Sequence, residues 1–181
     1  MPSLVFADVE TGGLDPERHS LLTVGLVTLD TKSGELTRPT LIKVRDSPYR
    51  VEADALAVNR IDLLSHHQQA AEREHAAGQL RAYLQWRRKK RVMVGGHNVH
   101  FDLRFLRALL PEWNELVIGG VVDTKVVAEY LVHKGELPKT LGTRLEDLAR
   151  HYGIALRAHD ALEDATATAR VYARMLGVGA S

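Results

Sequence analysis

Apolar positions along this chain follow two periods, and each change of period marks the boundary of an element. Leu4-Val5-Phe6-Ala7 is apolar at every position, the pattern of a strand covered on both faces, and it stops at acids and glycines. Residues 21–29 and 36–44 are further apolar or β-branched runs, and Asp30-Thr31-Lys32-Ser33-Gly34 between them favours a turn, so a three-stranded meander is expected. From 65 to about 88, Ala70, Ala71, Ala77, Leu80 and Leu84 recur at helical spacing and run into a cationic cluster suited to a helix C-terminus, which predicts one long helix. Residues 91–95 predict a short buried strand, and Phe101, Phe105, Ala108 and Leu109 predict a helix that runs to Pro111. A strand over 117–122 follows, then helices over 124–132, 144–151 (stopped by Gly153) and 161–176. In the last helix Ala165, Ala169, Tyr172 and Leu176 form the expected core-facing stripe. A meander followed by alternating strands and helices predicts an α/β fold, a mixed five-stranded sheet with helices on both faces. Its ligand site should lie beyond the carboxyl ends of the parallel strands.

Composition narrows the classes. A chain of 181 residues, 45% hydrophobic and without a long linker or internal repeat, is expected to form one domain over 1–181. It has no cysteine, so disulfides and thiolate metal sites are excluded. No apolar run approaches the roughly 20 residues of a membrane span, and Met1-Pro2-Ser3 leads straight into a strand pattern, so a cytoplasmic location and no membrane partner are expected. With a net charge of +1, attraction for a polyanion has to come from local patches or bound cations. The run Arg87-Arg88-Lys89-Lys90-Arg91 is the strongest such patch, and it reads equally as a phosphate-attracting surface or as a solvated helix end.

The chemistry lies in three acidic segments. In Phe6-Ala7-Asp8-Val9-Glu10-Thr11-Gly12-Gly13, Asp8 and Glu10 are two apart on a strand and project from the same face. Two carboxylates beside an apolar sheet repel one another unless a cation neutralises them, and oxygen ligands favour Mg2+ or Mn2+ over zinc. In His97-Asn98-Val99-His100-Phe101-Asp102, the last residue falls in or near a first helical turn and can face the same cleft. Asp123, which ends the next strand, is better explained as a helix cap. In His159-Asp160-Ala161-Leu162-Glu163-Asp164, Asp160 is a natural N-cap, Asp164 sits in the first turn, and His159 lies just outside the helix. A histidine there can take a proton from water, because its unperturbed pKa of roughly 6.5 lies near operating pH. His66 and His67 point apart on a helix, His97 and His100 have no thiolate partner for a zinc site, and Trp86 and Trp113 read as packing residues.

Over nearly its whole length the chain resembles the DEDDh group of DnaQ-like 3′-to-5′ exonucleases, on the ribonuclease H-like fold. The three motifs match at Asp8 and Glu10, at Asp102, and at His159 and Asp164, so all five key positions are filled. The resemblance implies two divalent metal ions, Mg2+ or Mn2+, held by Asp8, Glu10, Asp102 and Asp164, with His159 as general base and nucleoside 5′-monophosphates as products. It also implies substrate contacts at Thr11, Gly12 and Leu14, at Ala57 and Asn59 in Ala55-Leu56-Ala57-Val58-Asn59-Arg60-Ile61, and at His97, Asn98 and Phe101. The partners it implies are single-stranded or frayed 3′ ends of DNA or RNA, a polymerase or repair complex, and a second copy of the chain. Two other classes share the fold. An endonuclease acting within RNA:DNA hybrids usually takes its second acid from a helix, unlike the Asp8-Glu10 pair. A non-catalytic binding or polymerase-associated module commonly lacks one of the five residues.

Overall fold

The computed structural model describes residues 3–87, 91–156 and 159–179. Strand β1 (Ser3–Thr11) runs through the middle of the sheet, as its unbroken apolar start requires. It pairs antiparallel with β2 (Leu21–Asp30), which pairs antiparallel with β3 (Leu36–Arg45), and this is the expected meander. On its other side β1 pairs parallel with β5 (Val92–Gly96), and β5 pairs parallel with β6 (Val117–Asp123). A two-residue strand, β4 (Ala71–Glu72), adds to the outer edge of β3, so the order is β4-β3-β2-β1-β5-β6 and the sheet has six strands where five were expected.

That sixth strand is also why the long helix expected over 65–88 is broken. The chain between β3 and β5 forms α1 (Ala53–Asn59), α2 (Leu63–Gln69), β4 and then α3 (Arg73–Leu84), closed by a 3-10 turn at Gln85–Arg87. Asp62 caps α2 by accepting the Ser65 N–H at 3.0 Å. Ala70 then turns extended (φ −84°, ψ 142°), which lets Ala71 and Glu72 pair with Val44 and Arg45. The Arg45–Glu72 ion pair, 3.0 Å across, ties the same junction. The later helices are α4 (His100–Leu109), α5 (Trp113–Leu116), α6 (Thr124–Lys134), α7 (Leu145–His151) and α8 (Ala161–Met175).

Alternation along β1 divides the core in two. Val5, Ala7 and Val9 face α3 and α4, where they meet Ala76, Leu80, Leu84, Leu103 and Leu106. Leu4 and Phe6 face the other way, with Val27 and Leu29, onto Ala165, Ala169 and Ala173 of α8. Helices therefore cover both faces, as expected. The stripe on α8 departs from expectation at one end: Leu176 lies past the last turn and is 44% exposed, and Ala173 takes the core position. Trp113 is buried as a packing residue. Trp86 instead lies at the surface, 4.9 Å from the guanidinium of Arg38.

Candidate metal and nuclease site

The row that begins Leu4, Phe6 continues Asp8, Glu10, so both acids point to the α8 side of the sheet. Across β2 they stand opposite Gly25 and Thr23, and across β3 the same two rows end at Leu41 and Lys43. Gly25 is the residue on which the first turn of α8 rests. A Cβ there would lie 2.0 Å from the carbonyl oxygen of Ala161 and 2.4 Å from the amide nitrogen of Leu162. No side chain fits, and the helix backbone comes down onto the strand beside Asp8. A lone glycine inside an apolar strand is the signal that marks such a close approach, and it was not read from the sequence.

The third acidic segment is held from both ends. Asp160 caps α8, its Oδ1 accepting the N–H groups of Leu162 at 3.0 Å and Glu163 at 3.2 Å. His159 lies in the left-handed region at φ 72°, and its N–H donates to Asp164 Oδ2 at 3.0 Å. Donor atoms of Glu10, His159 and Asp164 all lie within 4.8 Å of one another.

Asp102 joins the group from the opposite layer. It sits in the first turn of α4, is 4% exposed, and its Oδ1 accepts the N–H of Val9 at 3.0 Å, a contact between residues 93 apart in the chain. Val9 lies between Asp8 and Glu10, so this one bond fixes the second motif against the first. A buried bond to a carboxylate is worth about 1.5–3 kcal/mol. Asp123 behaves as the cap expected of it. Its carboxylate accepts the N–H groups of Lys125 (2.9 Å), Asn98 (3.0 Å) and Val99 (3.2 Å), so it organises the loop that leads to Asp102.

Four carboxylates in one place disturb one another's titration. Burial, followed by the charges of Asp102, Asp164, Glu10 and Asp160, pushes the Asp8 carboxyl far above its usual range. Burial and then Asp164 and Asp160 push Glu10 up to about 7. Asp164 is raised to about 6, mainly by burial, against the opposing pull of the His159 N–H. Asp102 is raised by burial and by Glu10 and Asp123, although the Val9 N–H favours its charged form. Asp164 Oδ1 is buried and has no hydrogen-bond partner among the described residues. An orphaned carboxylate oxygen among mutually repelling acids fits a hard divalent cation, and the carboxylate oxygens of Asp8, Glu10, Asp102 and Asp164 suit Mg2+ or Mn2+.

The residues expected to contact substrate have varied surroundings. Thr11 is buried and its hydroxyl donates to Gly13 O at 2.8 Å. Gly12 is where the segment at 50–52 passes closest, since a Cβ would meet Arg50 O at 2.4 Å. Asn59 is buried, donating to Thr11 O and accepting the Ile61 N–H, both at 3.1 Å, so its amide braces α1 on the end of β1. Leu14 is 72% exposed on a loop tied to α4 by Arg104, which donates to Leu14 O at 3.2 Å. Ala57 is exposed on α1, and Asn98 holds a left-handed turn at φ 56°. Phe101 packs against Phe105 with ring centroids 5.2 Å apart, and His97 Nδ1 lies 2.9 Å from the Thr124 hydroxyl. His66 is buried with Nε2 3.0 Å from Val44 O while His67 is exposed, as the helical spacing implied. Residues 88–90 of the cationic run lie outside the described residues. Beside Glu10 and His159 a cleft of about 260 Å³ opens over β2 and β3, and Lys43, Asp62 and Ser65, which were not singled out from the sequence, form its far wall.

An antiparallel meander joined to parallel β5 and β6, with acids gathered at the end of the central strand, is the architecture of the ribonuclease H-like α/β class. The family model described as "Exonuclease" matches residues 5–172, and the chain belongs to this DnaQ-like ribonuclease T family of nucleic-acid exonucleases. It is 25% identical over 187 residues to ribonuclease T of Buchnera aphidicola subsp. Schizaphis graminum, covering 95% of this chain and 82% of that protein. It is 26% identical over 182 residues to the PolC-type DNA polymerase III of Thermotoga maritima, covering 96% of this chain and 12% of the polymerase. Among solved structures, the zinc-bound complex of Escherichia coli exonuclease I with single-stranded DNA superposes with a TM-score of 0.81 at 20% identity. That match covers 98% of this chain and 42% of exonuclease I, so the chain spans less than half of that enzyme. Among the described residues no helix is long and apolar enough to cross a membrane.

Proposed function

We propose that this chain is a metal-dependent 3′-to-5′ exonuclease that releases nucleoside 5′-monophosphates. The observation that carries the reading is the gathering of Glu10, His159 and Asp164 within 4.8 Å, beside Asp8 and with Asp102 bonded to the same strand. Two divalent ions, Mg2+ or Mn2+, would supply the positive charge that stabilises both the attacking and the leaving oxygen of an in-line displacement. Asp8, whose carboxyl feels the charges of Asp102, Asp164 and Glu10, would help hold both ions. Glu10 and Asp164 would hold the first ion beside His159, and Asp102 would support the second.

His159 accepts the proton of the attacking water, whose oxygen bonds to the last phosphorus as the P–O3′ bond breaks. The leaving O3′ takes a proton from solvent to become the 3′-hydroxyl of the shortened strand, and the imidazole gives its own proton back to solvent. His159 is exposed, as a base that exchanges protons with water should be.

The substrate favoured by this reading is a single-stranded or frayed 3′ end. The cleft of about 260 Å³ beside Glu10 and His159 offers room for a terminal nucleotide next to the acids. The exonuclease I structures with a dT13 oligonucleotide and with single-stranded DNA point the same way. The match to part of a PolC-type polymerase favours work beside a polymerase or repair complex.

Oligonucleotides labelled at the 5′ end, matched in sequence as DNA and RNA and as single strands and duplexes, test the proposal in Mn2+ and in EDTA. We expect a ladder shortened from the 3′ end, mononucleotide 5′-phosphates as product, and no reaction in EDTA. Internal cuts would make the chain an endonuclease, and retained binding without cleavage would make it a non-catalytic module; either overturns the reading.

A further inference from the structure

Two buried polar atoms of α8 have no hydrogen-bond partner among the described residues, Asp164 Oδ1 and Thr168 Oγ1. Thr168 is 1% exposed, so bulk water does not satisfy it. A threonine inside a helix commonly returns its hydroxyl to the carbonyl four residues back, which here would be that of Asp164, and this bond is not made. The spacing of four places both side chains on one face of the helix, with Cβ atoms about 5–6 Å apart. Side chains on one helix face at this spacing are within reach of a single bridging water. The two orphans are complementary: one is a hydroxyl able to donate, the other an oxygen of a carboxylate whose Oδ2 is already held by the His159 N–H.

We propose that Thr168 is a positioning residue for Asp164, its hydroxyl donating through one buried water to Oδ1 and holding the carboxylate turned toward Glu10 and His159. A carboxylate oxygen has two lone pairs, so Oδ1 accepts this bond and still faces a cation. A hydrogen-bonding group behind a metal ligand typically sets 10- to 100-fold of metal affinity. The inference rests on the reading of Asp164 as a cation ligand.

Thr168→Val replaces the hydroxyl with a methyl of nearly the same shape, and Thr168→Ser keeps the hydroxyl. Mn2+ binding is measured calorimetrically on the full chain, and thermal melting is followed in EDTA. The valine variant should bind Mn2+ roughly 10-fold more weakly or worse, while its Tm in EDTA falls by only about 2–4 °C, the loss of one hydrogen bond in a chain that still folds. The serine variant should bind nearly as wild type does. Thr168→Ala, which cannot crowd the site, should show the valine variant's loss and covers a failure of valine to fold.

Wild-type affinity in Thr168→Ala, or a serine variant as weak as valine, overturns the proposal. The exonuclease reading fails separately: Mn2+ binding that depends on Thr168, in a chain that cuts no oligonucleotide, would sink that reading and leave this one standing.

Discussion

Stripping cations from this protein should destabilise it in a way that grows with pH, and Glu10 sets the scale. Its carboxyl is raised from 4.5 to about 7 by burial and by Asp164 and Asp160. At roughly 1.4 kcal/mol per pH unit, that gap amounts to about 3 kcal/mol. The folded chain holds this proton more tightly than the unfolded chain does. Its contribution is therefore fully present below pH 4.5 and is lost as pH rises through about 7. Asp164, moved from 3.8 to about 6, acts with the same sign, although its greater contact with solvent reduces its share. His66 and His97 act with the opposite sign. Burial pushes both below 6.5, so their contribution is present above 6.5 and is lost as pH falls through the folded values. The comparison that isolates Glu10 is wild type against Glu10→Gln, both melted in EDTA between pH 5 and pH 8. For a chain of this size 1 kcal/mol moves Tm by roughly 2–4 °C, so wild type should lose about 6–12 °C relative to the variant across that range. Excess Mn2+ at pH 8 should restore wild type far more than Glu10→Gln. A difference that stays flat with pH, or a wild-type Tm indifferent to Mn2+ at pH 8, would refute the account of the acids as a cation site.

His159→Ala should lower turnover by roughly 10²- to 10⁴-fold while Mn2+ still binds, and calorimetry paired with saturating-metal kinetics checks both halves; an unchanged rate would remove His159 as the base. Gly25→Ala drives a methyl to 2.0 Å from Ala161 O, so the first turn of α8 has to lift. The cost should be about 1–3 kcal/mol of stability and on the order of 10²-fold in turnover, and wild-type turnover would show that the seat of α8 does not set the site. Asp123→Ala strips the acceptor from three backbone N–H groups and should destabilise the chain by about 1–3 kcal/mol, read by urea unfolding; a stability unaltered within error contradicts its role as organiser of the loop before Asp102.

Strands β1, β2, β3, β5 and β6 and helices α4, α6, α7 and α8 were legible because each is long or uniform enough to show its own period. The break at Ala70 was not, since Ala70, Ala71 and Ala77 continue a helical spacing straight through the two-residue strand β4. A pairing of two residues leaves no pattern to read, and the strand count was therefore one short. Helix α1 was missed for a related reason. Its seven residues bury only Asn59, whose amide is held by Thr11 O and Ile61 N–H. The motifs single out five acid and histidine positions as candidates, yet what brings their side chains together is not in the local sequence. The bond from Val9 N–H to Asp102 joins residues 93 apart, and neither local sequence contains a sign of the other. Gly25 was visible as a glycine in an apolar strand, but its meaning depends on which helix lies above it.

The α8-facing row of β1 changes character halfway, from Leu4 and Phe6 to Asp8 and Glu10, and a single helix covers both halves. The small residues Ala165, Ala169 and Ala173 let the body of α8 settle on Phe6, Val27 and Leu29. That packing fixes its rotation about its own axis, and with 3.6 residues per turn a shift of one residue would swing Asp164 by about 100° away from Glu10. Gly25 fixes the height of the first turn, and the Asp160 cap fixes where the turn begins. Apolar packing at one end of the helix thus determines the placement of charge at the other. The buried alanine stripe opposes the electrostatic cost of gathering four acids. A helix seated only by its polar end would be pushed off by that repulsion.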